Sequence, residues 1–285
     1  MRVLVTGVKG QLGYDVYREL KERGFSDILG IDKEELDLTD ERIVYQFIID
    51  YKPDVIIHNA AWTAVDKAEE SPEDVYKINA LASKYIALAC KKTEAKMVYI
   101  STDYVFSGEG ENEYEIDSPK KGLSVYGKTK SRGEDFVMQE TDKYFIIRIS
   151  WVFGINGNNF VKTMLKLGET KKEINVVCDQ VGSVTYTYDL SKLICDMIET
   201  DKFGVYHATN EGVLSWYDFA CEIFKKAGIE MKVNPITTEE YLKLGKTQAK
   251  RPINSRMSKR SLDEFGFNRL PEWKDALRRY LKELL

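Results

Sequence analysis

The chain has 285 residues, with 42 lysines and arginines against 46 aspartates and glutamates, a net charge of −4. That length allows one or two domains, and 43% hydrophobic with 31% charged residues excludes a disordered chain. The near balance of charge argues against general nucleic-acid binding. Cys90, Cys178, Cys195 and Cys221 lie far apart without a C-x-x-C pair, and the only histidines are His58 and His207. No zinc site is expected, and the thiols should serve as small buried hydrophobes in a reducing compartment. Only Val3, Leu4 and Val5 run together at the start and no later stretch approaches a membrane span, so a soluble cytoplasmic protein without membrane contact is expected.

From residue 2 to about 150, short apolar runs alternate with amphipathic ones, the pattern of strands and crossover helices in a parallel sheet. The runs are Val3 to Thr6, Ile28 to Ile31, Val55 to His58, Met97 to Ser101 and Phe145 to Ile149. Tyr14 to Arg23 reads as the first helix. Residues 40 to 51 place Ile43, Val44, Phe47, Ile48 and Tyr51 on one stripe, with Asp40 as N-cap. Ser71-Pro72 opens a helix repeating Val75, Ile78, Leu81, Tyr85 and Leu88. Beyond 150 the elements shorten, with helices expected at Trp216 to Ala227 behind Ser215 and at Pro271 to Leu285. Residues 241 to 262 hold Lys243, Lys246, Lys250, Arg251, Arg256, Lys259 and Arg260 without one acid, which suits either an anionic ligand or a solvated basic face. Without a linker, residues 151–285 should pack on residues 1–150 and form a cleft with them.

Gly7-Val8-Lys9-Gly10-Gln11-Leu12-Gly13 follows the first strand and leads into the first helix. Glycines there permit a tight turn and close backbone approach to a pyrophosphate lying at the helix N-terminus. An ordinary strand-to-helix turn is the alternative for this spacing alone. Asp32 ends the second run, 25 residues after Gly7, where a carboxylate can accept from ribose hydroxyls. It would repel a 2′-phosphate and so favours NADH over NADPH, a preference softened by Lys33.

Tyr126 and Lys130 have Y-x-x-x-K spacing, which on a helix puts both on one face. A phenol exchanges protons poorly near neutrality unless a neighbouring ammonium favours its ionised form. With 17 tyrosines present, a solvated helix face is the alternative for the pair by itself. Ser101-Thr102-Asp103 ends the fourth run, at the carboxyl edge where open parallel sheets bind ligands.

Together with Asn59-Ala60-Ala61 and Asn79, these features resemble the extended short-chain dehydrogenase/reductase family. The blocks Asn59 to Glu69, Ser101 to Phe106, Ser150-Trp151-Val152-Phe153-Gly154 and Arg251 to Ser255 resemble its members that reduce dTDP-linked 4-keto-6-deoxy sugars. The resemblance spans nearly the whole chain. It implies a Rossmann-type, doubly wound α/β fold over residues 1–150 and a smaller α/β substrate-binding lobe over 151–285, from which segments may rejoin the sheet. By that resemblance Gly10, Gln11 and Leu12 cradle the pyrophosphate between Gly7 and Gly13, and Asp32 meets the ribose. Asp37 and Leu38 flank the adenine, while Ala60, Ala61, Trp62 and Asn79 lie along the cofactor. Tyr126 becomes proton donor with Lys130 and Thr102 as partners. Thr102, Asp103 and Trp151 contact the sugar, and Arg251 its diphosphate.

Two points depart from that pattern. In Gln180-Val181-Gly182-Ser183-Val184-Thr185, Val184 stands where the family often has proline, so the loop should turn less rigidly. The resemblance also implies a homodimer linked by Mg2+ in some members. Asp15, Asp189 and Glu283 lie near the corresponding places but read as solvated helix carboxylates, so no metal is placed in the site. Two other readings stay open. A nucleotide-sugar epimerase or dehydratase would share the fold, although dehydration needs a second carboxylate where Tyr104 follows Asp103. A non-catalytic subunit resembling the regulatory subunit of methionine adenosyltransferase is the alternative from another class.

Overall fold

The computed structural model describes residues 1–245 and 249–285; Lys246 of the basic segment lies outside them. Five strands match the apolar runs: β1 (Arg2–Thr6), β2 (Asp27–Ile31), β3 (Val55–His58), β4 (Lys96–Thr102) and β5 (Tyr144–Ile149). They pair in parallel in the order β2, β1, β3, β4, β5. A sixth strand, Gly204–His207, returns from the second half to pair with β5, Tyr206 opposite Ile147. The two-residue alternation of a strand divides the apolar side chains between the faces. Val3, Val5, Ile57, Val98 and Phe145 pack beneath α1 (Gln11–Glu22) and α8 (Thr187–Ile198). Leu4, Ile56, Met97, Tyr99 and Ile146 pack beneath α2 (Glu41–Tyr51), α5 (Ala82–Thr93) and α6 (Val125–Glu140). Helices on both faces of a parallel sheet make this a Rossmann-type α/β fold.

Helical details depart from the simple stripes. Asp40 caps α2, accepting from the Ile43 amide at 3.0 Å, but the Ile43 side chain is exposed while Val44 and Ile48 are buried. After α3 (Val65–Glu70) comes α4 (Pro72–Tyr76), which does not run straight on into α5: Lys77–Leu81 forms a π-helical turn. The extra residue in that turn rotates everything after it. Asn79, Ile86 and Cys90 therefore face the core, while Ile78, Leu81, Tyr85 and Leu88 are only half-buried. Asp15 and Asp189 are not solvated but buried. Asp15 accepts from the Thr187 hydroxyl, and Asp189 receives both Arg279 Nη atoms at 2.7 Å. Glu283 is exposed, as expected, and pairs with Arg18 at 2.6 Å. Cys90 and Cys195 are buried as expected, whereas Cys178 and Cys221 are partly exposed.

The second half builds its own core from α7 (Phe160–Thr170), α9 (Trp216–Ala227) and the helix Trp273–Leu284 around Phe153, Phe219, Ile223 and Tyr280. A capping box between Ser215 and Asp218 starts α9, the physical basis of its sequence signal. The terminal helix begins only at Trp273, because Leu270–Glu272 pairs as a short strand with Asn210–Glu211. The halves are tied together beside the glycine turn, where Asn156 donates to the Lys9 carbonyl at 2.7 Å and Asn159 to Gln11 Oε1 at 3.1 Å. Among the described residues, no helix is long and apolar enough to cross a membrane.

Candidate active site

A cavity of about 930 Å3 opens at the carboxyl ends of the sheet strands, the crevice where doubly wound sheets bind ligands. Gly7, with φ +66°, makes the turn, and a Cβ there would lie 2.8 Å from the Ala60 amide nitrogen. A Cβ on Gly13 would collide with the Gly7 carbonyl, whereas one on Gly10 would meet only that oxygen, at 3.2 Å. Gly10 is the N-cap of α1 and offers no capping side chain. The first amides of α1 thus lack a side-chain cap at a cavity wall formed by Gly7, Gly10, Gln11, Leu12 and Gly13, a fit for an anionic diphosphate.

Asp32 lines the cavity next, its carboxylate accepting from the backbone amides of Lys9 and Lys33, each at 3.0 Å. Asp37 and Leu38 follow on the same wall. The amide and hydroxyl of Thr39 hold the Asp37 carboxyl below its ordinary pKa. Ala60, Ala61 and Trp62 continue the wall after β3. Asn79 does not line the cavity. Turned inward by the π-helical turn, it grips Trp62 from behind, accepting from its amide at 2.8 Å and donating to its carbonyl at 3.2 Å.

Thr102, Asp103, Tyr126, Lys130 and Trp151 also meet on this cavity. Thr102 ends β4, while Tyr126 and Lys130 stand one turn apart on α6, started by Ser124 accepting from the Gly127 amide at 3.1 Å. A Cβ on Gly127 would strike the Tyr104 carbonyl, so glycine there lets α6 approach the strand end. Burial pushes the pKa of Tyr126 up to about 12, against the opposing influence of Thr102, and the Asp103 charge adds to the rise. Burial pushes Lys130 down to about 7, against the pull of the Glu134 carboxylate one turn further on. Burial also raises Asp103 to about 6, although its carboxylate accepts from Ser255 at 2.5 Å and Thr102 at 3.0 Å. A phenol that keeps its proton, beside an amine that titrates near neutrality, can supply a proton to a forming alkoxide.

Behind these groups lies an ion pair that sequence reading missed. Glu134 and Arg148 are both buried, joined at 2.9 and 2.8 Å, and Ser101 donates to Glu134 at 2.5 Å. Burial works to raise Glu134, but Arg148 with Lys120 and Ser101 holds its carboxyl below the ordinary value. Tyr104 and Trp216, also missed, line the cavity. Tyr104 packs edge-on against Tyr126 at 5.4 Å. Trp216 stands at the first position of α9 on the same stripe as Phe219, Ala220 and Ile223, so its spacing read as core and gave no separate signal for the site.

Arg251 does not line the cavity. Its guanidinium pairs with Asp66 at 2.6 Å, and Asp66 also accepts from the Ala249 amide at 3.1 Å. Elsewhere in the basic segment Lys243 pairs with Glu239 at 2.9 Å and Arg260 with Glu264 at 3.1 Å, and Lys259 is buried. The charges that suggested an anion site are thus largely answered by the protein's own carboxylates. Among the described residues, no group of three His, Cys, Asp or Glu side chains is placed to hold a metal ion.

The dinucleotide cradle, with half-buried Tyr126 and buried Lys130 beside it, defines a Rossmann-type, nicotinamide-dependent oxidoreductase. Comparison with known proteins agrees: the family model described as the RmlD substrate binding domain matches residues 1–285. The chain is 43% identical to a dTDP-4-dehydrorhamnose reductase of Clostridium acetobutylicum, whose crystal structure superimposes with a TM-score of 0.96 over 100% of this chain and 99% of that one. A dTDP-4-dehydrorhamnose reductase of Bacillus anthracis in complex with NADP gives 42% identity and a TM-score of 0.94, covering 99% of both chains. The spore coat polysaccharide biosynthesis protein SpsK of Bacillus subtilis is 42% identical over 99% of this chain and 97% of its own. The chain belongs to the dTDP-4-dehydrorhamnose reductase family.

Proposed function

We propose that the chain reduces the C4 keto group of dTDP-4-dehydrorhamnose to give dTDP-L-rhamnose for cell-surface polysaccharide synthesis, acting in the cytoplasm. The observation that carries this reading is the convergence of Tyr126 and buried Lys130, one turn apart on α6, with Thr102 on the cavity that the glycine turn opens. A bound reduced nicotinamide supplies the hydride. The amides at the start of α1 hold the diphosphate of the dinucleotide, and Asp32 meets its adenosine ribose. Thr102 orients the keto oxygen, and Tyr126 gives its proton to that oxygen as the C–O bond becomes an alcohol. Lys130 stabilises the phenolate left behind and would hold the nicotinamide ribose. These groups act by position and electrostatics.

Both NADH and NADPH are accepted in this reading. Asp32 favours NADH, but its carboxylate already receives two backbone amides and exposed Lys33 lies beside it on the cavity, which offsets the repulsion of a 2′-phosphate. Arg251 is left out of the substrate contacts, since Asp66 engages it. Purified protein given the dTDP-linked 4-keto-6-deoxy-L-sugar and either cofactor should oxidise the nicotinamide, followed by its absorbance. No oxidation with either cofactor defeats the function; full activity in Tyr126→Phe defeats the mechanism.

A further inference from the structure

The indoles of Trp151 and Trp216 are stacked, with ring centroids 3.9 Å apart and planes at 14°. Both line the cavity. Trp151 has φ +49°, a left-handed conformation that an L-residue keeps only where its surroundings impose it. Trp216 stacks on its ring from a rigid base. It is the first residue of α9, fixed by the Ser215–Asp218 capping box, and the ring of Phe160 backs it at 4.6 Å. In the sheet register Thr102 lies opposite Ile149, so Trp151 stands two residues beyond the partner of Thr102. The stacked indoles therefore flank the reacting end of the cavity, not the end lined by Asp37 and Leu38.

We propose that Trp216 is a positioning residue for the sugar nucleotide, acting through Trp151: it holds the Trp151 indole as the flat wall on which the keto sugar lies. Sugar C–H faces pack well on an indole, and a wall held in one orientation costs less to order when substrate arrives. The inference rests on the reductase reading of this cavity.

The test is a double-mutant cycle on the full chain with Trp216→Ala, Trp151→Ala and both together. KM for the dTDP-linked keto sugar is read at saturating NADPH, with KM for NADPH and the circular-dichroism exciton couplet of the indole pair read alongside. Trp216→Ala should raise the sugar KM roughly tenfold with the NADPH KM within about twofold. It should abolish the couplet, as Trp151→Ala does, and add nothing further in the Trp151→Ala background. Trp216→Phe should restore most of the sugar KM. Should Trp216→Ala not fold, Trp216→Leu takes its place in every arm. An unchanged sugar KM, an equal rise in the NADPH KM, or an additive double mutant overturns the proposal. A wild-type protein that never turns over the keto sugar overturns the reductase reading itself, and this inference with it.

Discussion

Tyr99 holds Lys130 at both ends: its ring lies 4.0 Å beneath the side-chain nitrogen, and its hydroxyl donates to the Lys130 carbonyl at 3.1 Å. The ring face favours a charged amine, while burial disfavours it strongly enough to bring the pKa down to about 7. Lys130 is thus held in place but left ready to lose its charge.

An activity profile should report this. Below pH 7 Lys130 is charged and helps Tyr126 release its proton; above, that help is lost. In the reductive direction kcat/KM for the dinucleotide, which reports the free enzyme, should fall as pH rises through about 7. Lys130→Arg, which stays charged, should remove this limb, and a limb unchanged in that variant would assign it to another group.

Stability should show the opposite slope. The unfolded chain holds the Lys130 proton up to its ordinary value of 10.5, the native chain only to about 7. Between those values the unfolded state binds more protons, so stability rises with pH, by at most about 1.4 kcal/mol per unit. Lys130→Met should flatten that part of the curve in urea titrations.

The glycines of the turn should separate folding from binding. Gly13→Ala drives a Cβ into the Gly7 carbonyl and should cost roughly 1–3 kcal/mol or more. Gly10→Ala meets only one atom, at 3.2 Å, and should change stability by less than about 1 kcal/mol while weakening dinucleotide binding. Thermal denaturation with NADPH titration checks both.

Glu134→Gln leaves Arg148 buried without its charge partner and should cost about 3–5 kcal/mol. Replacing both residues by apolar ones of similar size should recover most of that loss, read from urea midpoints.

Lys33→Ala should raise the kcat/KM ratio of NADH to NADPH several-fold, since one exposed charge near a phosphate contributes on the order of 1 kcal/mol. An unchanged ratio would remove Lys33 from cofactor choice.

The five strands were legible because parallel strands buried on both faces are short apolar runs, and the glycine turn because Gly7 and Gly13 leave no room for a Cβ. What stayed hidden depended on contacts far along the chain. Periodicity assumes 3.6 residues per turn, so the π-helical turn at Lys77–Leu81, which swings Asn79 behind Trp62, left no trace in the spacing. Asp15 and Asp189 read as solvated because their partners, Thr187 and Arg279, are 172 and 90 residues away. Trp216 meets Trp151 only once α9 is docked. Gly204–His207 is as long as β3, but it carries only Val205 and Tyr206 between a glycine and a histidine, so no apolar run marks it as part of the main sheet.

That short strand bears on how the protein is made. When the first 150 residues have left the ribosome, β5 has β4 on one side only, and its other side offers unpaired amides and carbonyls to any passing chain. At about 5–20 residues per second, Gly204–His207 follows only after several seconds of further synthesis. During that interval the nascent protein is at its most vulnerable to mispairing, and a chaperone would find its substrate at the β5 border.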